Sequence, residues 1–252
     1  MSKKYDSFSN FNETFEKMKS LNELEKELNI SYPEIYKSLY TNGMLDWGTE
    51  ENGWYTNVFP KLKENPPLLL FGADIEIWDP IDWKGGIEEI LNHEVYDIHE
   101  KFKLVPFAKN GAGDMYVFQY DLEQNGEIPI SFFPHDDDEL EVQAKNFQDF
   151  IFRQLLESLT EMDEYSMFEG DSEEQIKTHL LNQLRTHQPY LTENQIAVLE
   201  EIYKRDLFEY TYKVPNGGEF EAYGLLTFDE VDEIVKREID FPLLNKKMEY
   251  LA

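Results

Sequence analysis

Two adjacent residues, Asn125-Gly126, constrain the folding of this chain more than any other pair. A two-residue hairpin turn needs positive φ at its centre, which Gly adopts freely and Asn tolerates. The pair lies between Asp114–Leu122, rich in Tyr, Val and Phe, and a second run, Glu127–Phe133. Those two runs are therefore expected to pair antiparallel. Pro129 has no amide hydrogen to give to a ladder, so the second strand is expected at a sheet edge or with a bulge. Lys103–Ala108, the buried-type run Leu68–Phe71 and the alternating stretch around Ile75 and Ile77 read as further strands.

Around these strands the apolar spacing becomes helical. Phe8, Phe11, Phe15 and Met18 recur at helical intervals, continued by Leu21, Leu24 and Leu28. Ser20-Leu21-Asn22-Glu23 has the form of a capping box, a place for a second helix to start. Ser31-Tyr32-Pro33-Glu34 opens a short helix, with Pro33 in its first turn, and Asn42-Gly43 stops it. Residues 44–66 read as loop, with Gly48, Gly53, Pro60 and Pro66-Pro67. Residues 87–100 fit one amphipathic helix, and Phe147–Met162 another, capped by Asn146. Boxes at Ser172–Gln175, Thr192–Gln195 and Thr227–Glu230 open three more helices. Between the last two lies a hairpin-like stretch, Phe208–Val214 and Glu219–Leu226, around Pro215-Asn216-Gly217-Gly218. Helices, then antiparallel strands, then a helix indicate an α+β domain with an antiparallel sheet flanked by helices. A boundary is expected at Asp163–Asp171, dividing a domain of residues 1–164 from a mainly helical extension of residues 165–252.

Charge narrows the function. Asp and Glu total 52 against 23 Lys and Arg, a net charge of −29. Residues 121–164 hold 13 acids and 2 bases, so the negative field is concentrated mid-chain. Such a surface repels nucleic acid and anionic membranes and steers basic proteins toward it. With no cysteine, disulfides, thiolate metal sites and cysteine nucleophiles are excluded. The N-terminus, Met1–Asp6, has no apolar stretch of the kind a secretory signal needs. The most apolar run, Pro66–Phe71, is far shorter than the roughly 20 residues of a membrane span. A cytoplasmic protein is expected.

The patterns that resemble catalytic motifs are incomplete. His93, Glu94 and Asp97 resemble a zinc-protease helix with Asp in place of the second His, if residues 87–100 are one helix. A solvated polar face is the plainer reading. His135-Asp136-Asp137-Asp138-Glu139 groups oxygen ligands without the alternation or central Gly of a calcium loop. Gly111-Ala112-Gly113-Asp114 precedes a strand, whereas a phosphate loop follows one, so these glycines are expected to turn the chain while Asp114 binds nearby amides. No Gly-x-Ser-x-Gly elbow occurs. No metal and no cofactor are expected.

Several segments together resemble the SUKH superfamily. Leu24-Glu25-x-x-Leu28 and Tyr32-Pro33-x-x-Tyr36-x-x-Leu39-x-x-Asn42-Gly43 look like its opening helices. Leu104-Val105-Pro106-Phe107-Ala108, then Gly111-x-Gly113-Asp114-x-x-x-Phe118-x-Tyr120-Asp121-Leu122, look like its central signature. The helix from Phe147 fits its last helix. The likeness covers residues 20–162 and departs at Tyr32, where Leu is usual, and in the long loop 44–66. It implies an α+β sheet domain without a catalytic motif. It also implies a role like that of the superfamily's bacterial immunity proteins, which neutralise toxins, many of them nucleases, or its regulators of fungal glucan synthesis.

The expectation is thus a non-enzymatic protein that binds a basic protein partner, a toxin domain, and occludes its basic active site. A regulatory or scaffolding module of the same fold, and a metal-dependent hydrolase built on His93, Glu94 and Asp97, are the alternatives. The partner-binding residues expected are Asp136, Asp137, Asp138 and Glu139, which follow the strand ending at Phe133. Trp47 and Trp54 join them as large aromatics in an irregular region.

Overall fold

The computed structural model describes residues 3–48, 53–162, 167–214 and 217–251, with side chains from residue 13 onward except that of Glu94. In chain order its helices are α1 (Lys3–Leu28), α2 (Glu34–Thr41), α3 (Phe59–Leu62), α4 (Lys84–Leu91), α5 (His93–Tyr96), α6 (Phe147–Glu157), α7 (Glu173–His187), α8 (Glu193–Ile202) and α9 (Phe228–Glu238). Its strands are β1 (Glu76–Ile77), β2 (Leu104–Lys109), β3 (Met115–Gln119), β4 (Ile130–Phe133), β5 (Glu139–Ala144), β6 (Phe208–Lys213), β7 (Glu219–Gly224) and β8 (Lys247–Glu249). The protein is α+β. Among the described residues, no helix is long and apolar enough to cross a membrane.

Contacts divide the chain into two units, each discontinuous. The first holds Met1–Asp46, Glu76–Phe147 and Asn245–Ala252, and the second Trp47–Ile75 and Gln148–Leu244. Residues 163–166, inside the expected boundary, lie outside the described residues, as do Pro215 and Asn216 of the expected second turn. The last residues of the expected extension form β8, a strand of the first unit's sheet.

That sheet has the order β1-β2-β3-β4-β5-β8, and every neighbouring pair is antiparallel. The hairpin turn forms where Asn125-Gly126 places it. Gln124 and Glu127 exchange two backbone hydrogen bonds of 3.0 Å, with φ of 55° at Asn125 and 82° at Gly126. Both strands are shorter than expected. After Gln119 the chain winds a 3-10 turn over Tyr120–Leu122: the Tyr120 amide still donates to the Lys103 carbonyl at 2.9 Å, but the Tyr120 carbonyl accepts from the Glu123 amide at 3.1 Å, which ends the ladder. The Asp121 carboxylate accepts from the Lys103 amide at 3.0 Å and the Gln119 side chain at 2.9 Å. Pro129 precedes β4, and β4 lies inside the sheet rather than at its edge; the irregularity falls between Ile130 and Ser131, where the register with β5 shifts.

α1 runs through Ser20 without a second start. Breaking it there would orphan backbone donors and acceptors that the continuous ladder satisfies, and Leu21 and Leu24, just after the proposed cap, are both buried. Pro33 is the N-cap of α2 rather than a first-turn residue. Ser31 instead gives its carbonyl to the Tyr120 hydroxyl at 3.0 Å, and Glu25 accepts the Tyr32 amide at 2.6 Å. α2 stops as expected, with Gly43 at φ 73° and the Met44 amide donating to the Leu39 carbonyl at 2.9 Å.

One aromatic cluster joins these elements. The Phe118 ring lies 5.9 Å from Tyr32, 5.3 Å from Tyr36, 4.7 Å from Phe107 and 5.3 Å from Phe147. All five side chains are buried. Four of these rings come from the segments that carry the family likeness, and the fifth, Phe147, opens the helix assigned to its end. Elsewhere in the unit, Trp78 stacks on Trp83 at 3.5 Å, and that ring occupies the space a side chain at Gly86 would need.

In the second unit, Leu68–Phe71 is a buried turn and not a strand, with Leu69 at φ 54°. Buried irregular backbone needs partners for its amides, and α7 supplies them. The Leu69 amide donates to His187 Nε2 at 3.1 Å and the Phe71 amide to Gln183 Oε1 at 3.3 Å. The region 44–66 contains a π-helical turn at Trp54–Val58 leading into α3. α6 stops at Glu157, earlier than expected, because the chain then meets the hairpin: Leu225 donates to the Leu159 carbonyl at 2.8 Å, and Met162 to Tyr223 at 2.6 Å. All three late capping boxes form as read.

Truncating Phe118 to Ala removes the ring at the centre of five and is expected to cost about 3–5 kcal/mol, measured by urea unfolding. His187 supplies a pH test. Its burial disfavours the charged imidazolium and pulls its pKa down to about 4, against the weaker opposing pull of the Gln183 carbonyl. The unfolded chain protonates near pH 6.5, the folded one near 4, so this contribution is complete above about 6.5 and is lost as pH falls to about 4. Wild type should lose about 3 kcal/mol more than His187→Gln between those limits. Equal losses would show that burial does not keep His187 neutral in the folded protein.

Candidate functional site

The acidic residues follow β4 directly. Asp136, Asp137, Asp138 and Glu139 are all exposed; the three aspartates lie on the loop that leads into β5, and Glu139, expected on that loop, is the first residue of the strand. Their backbone is nevertheless fixed from two sides. On one side stands Tyr250, which follows β8. Its ring packs on Phe133 at 4.6 Å, its hydroxyl donates to the Asp137 carbonyl at 2.6 Å, and its amide donates to the Asp138 carbonyl at 3.0 Å. Burial, and then the charges of Asp138, Asp137 and Asp136, push the Tyr250 phenol pKa up, so the hydroxyl stays a donor at neutral pH.

On the other side stands Asp114, held at the end of the Gly111–Asp114 turn. Gly113 takes φ 94°, and Asn110 accepts the Asp114 amide at 2.9 Å. The Asp114 carboxylate accepts from the His135 amide at 3.0 Å and pairs with the His135 ring at 2.6 Å. Partial burial works against ionisation of Asp114, but the His135 amide, Asn110 and the His135 ring outweigh it and hold its pKa low. The same bond to Asp114 raises the pKa of His135. The backbone amide that Asp114 binds is therefore that of His135, 21 residues on, and not one of its own turn as expected; within the turn Asn110 plays that part.

The acids themselves have few cations. Lys145 is engaged with Glu127 at 2.7 Å, away from the loop. Lys247 reaches Glu139 at 3.7 Å. Glu139 and Glu249 stand directly opposite in the β5–β8 register, a like-charge pair that costs stability. The surface is therefore self-repelling, and a cation approaching it would relieve that repulsion.

Donor atoms of Asp114, His135 and Asp136 lie within 4.8 Å of one another, a geometry open to a divalent cation. The His135 Nδ1–Asp114 contact already accounts for the close approach of two of them. The other proposed metal pattern does not form. Residues 87–100 are not one helix: α4 ends at Leu91, α5 ends at Tyr96, and Asp97 takes a left-handed φ of 53°. Asn92 between the helices is extended, so His93 and Asp97 do not share one helical face. The Glu94 side chain lies outside the described residues.

Trp47 and Trp54 belong to the second unit, and both are partly buried. The Trp54 indole donates to the Trp47 carbonyl at 2.9 Å, and the Trp47 indole to the Leu68 carbonyl at 3.0 Å. Trp54 also stacks on Phe59 at 5.2 Å. Their polar handles point into their own loop, and the adjacent Tyr55 is the ring that is exposed. The residue that sequence reading missed is Tyr250. Its signal was the alternation of Lys247, Met248, Glu249 and Tyr250, a short strand pattern close to the end of the chain.

Fold and surface together define an α+β sheet protein with an ordered, exposed acidic loop beside its last strand. The chain belongs to the SMI1 / KNR4 family (SUKH-1), whose model matches residues 18–153. β8 and Tyr250 lie beyond that match. No curated protein and no solved structure matches the chain.

Tyr250→Phe keeps the ring on Phe133 and removes the bond to Asp137. Hydrogen exchange at the amides of residues 136–139 should quicken, with a global loss of about 1 kcal/mol. Unchanged exchange there would show that Tyr250 does not order the loop.

Proposed function

We propose that this protein is an immunity-type binding protein that docks its acidic loop against the basic surface of a cognate bacterial toxin and occludes it. Nuclease toxins fit this reading best, because a cleft that holds phosphate must be electropositive. The observation that carries the proposal is the exposure of Asp136–Glu139 on a backbone held by Tyr250 and Asp114. A surface ordered before binding has less conformational entropy to lose on association. Membership of the SUKH-1 family supports a binding role and equally accommodates a regulatory module with a cellular partner. The broken helix around Asn92 removes the geometric support for a hydrolase built on His93 and Asp97. Neither nucleic acid nor a membrane is a suitable partner for this charge.

The experiment is to capture the partner with the full chain, identify it by mass spectrometry, and measure association by stopped flow. Converting Asp136, Asp137, Asp138 and Glu139 to Asn and Gln should leave the fold intact, since none is buried. Association at low salt should slow about tenfold or more, and its salt dependence should flatten. A folded variant with an unchanged rate and unchanged salt dependence would show that the loop only solubilises the protein.

A further inference from the structure

The second unit carries an aromatic groove that the acidic loop does not explain. In β6, Phe208, Tyr210 and Tyr212 share one face, and the register places Tyr212 directly opposite Phe220 of β7 on that face. Tyr212 lies 5.9 Å from Phe220 and 4.7 Å from Phe228, the first residue of α9. Tyr210 lies 6.3 Å from Phe228. These rings do not bury one another: Phe220 is 49 % exposed and Phe228 38 %. Tyr210, Tyr212, Thr227, Phe228 and Asp229 line the resulting groove, together with Lys213 and Glu219.

Its rim is acidic. Glu161 accepts the Tyr212 hydroxyl at 2.7 Å, which fixes a carboxylate at the edge of the aromatic face. Asp229 is exposed beside it. Lys213 and Glu219, which also line the groove, stand directly opposite each other across the ladder with opposite charges, both on the strand face away from Tyr212 and Phe220. From 208 to 233 the chain holds seven acids and one base. A purely apolar occupant would leave these carboxylates desolvated and unpaired, at a cost. A cation would instead lie against ring faces that attract it and beside carboxylates that pair with it.

We propose that this groove is a docking cleft for a cationic side chain of a protein partner, arginine in preference to lysine. A planar guanidinium stacks on aromatic rings and still donates in its own plane to carboxylates such as Asp229 and Glu161. The inference deepens the proposed function by giving a basic partner a second contact, on a segment outside the residues the family model matches.

The test uses the full chain and two short blocked peptides, acetyl-Gly-Arg-Gly-amide and its norleucine counterpart, at physiological salt. Aromatic NMR resonances report binding at the groove. The arginine peptide should give saturable shifts at Phe220 and Phe228, and the norleucine peptide should not. Phe220→Ser, at an exposed position, should abolish those shifts, and Asp229→Asn should weaken binding about threefold. Neutralising Asp136–Glu139 should leave the titration unchanged, so failure here and failure of the acidic-loop reading are distinguishable. Equal shifts from both peptides would overturn the proposal in favour of an apolar cleft. Concentration-dependent self-association abolished by Phe220→Ser would overturn it in favour of a second copy of this chain. Absence of saturable shifts would overturn it outright.

Discussion

Adjacent carboxylates on a loop repel one another, so their own interactions favour an open, mobile backbone. Cations could order them but would cancel the field they make. In this protein the loop after β4 is held instead through its backbone carbonyls, by the amide and hydroxyl of Tyr250. The ring of Tyr250 rests on Phe133. The side chains are left to face solvent with their charge intact. That arrangement depends on β8 pairing with β5, and so on a chain that leaves the first unit after Phe147 and returns to it at Asn245.

The aromatic cluster around Phe118 is the complementary constraint. It joins rings from the approach to α2, from α2 itself, from β2 and β3, and from the start of α6. Asp114 stands just before the strand that carries Phe118, and its carboxylate holds the first residue of the acidic loop. The core of the first unit and its charged surface are thus linked by a few residues of one strand and its preceding turn.

Much of this was legible in the sequence because it rests on local chemistry. Asn125-Gly126 makes a turn by virtue of its own φ preferences, and the boxes at Ser172, Thr192 and Thr227 close within four residues. The exposure of Asp136–Glu139 followed from desolvation cost. What escaped depends on distant partners. Leu68–Phe71 has the composition of a buried strand, yet its amides are satisfied by His187 and Gln183, more than a hundred residues away. Residues 87–100 keep a helical apolar period, but the backbone breaks at Asn92. The role of Tyr250 rests on β8 pairing with a strand a hundred residues earlier; the local alternation marks the strand but not its partner.

An ordered acidic loop that meets a basic partner should be protected when that partner binds. Hydrogen exchange of the full chain, free and bound to its captured partner, tests it most directly. The account predicts slowed exchange on binding at residues 134–139 and at 247–251, the loop and the strand that holds it. Unchanged exchange in both segments, with protection elsewhere in the chain, would contradict it.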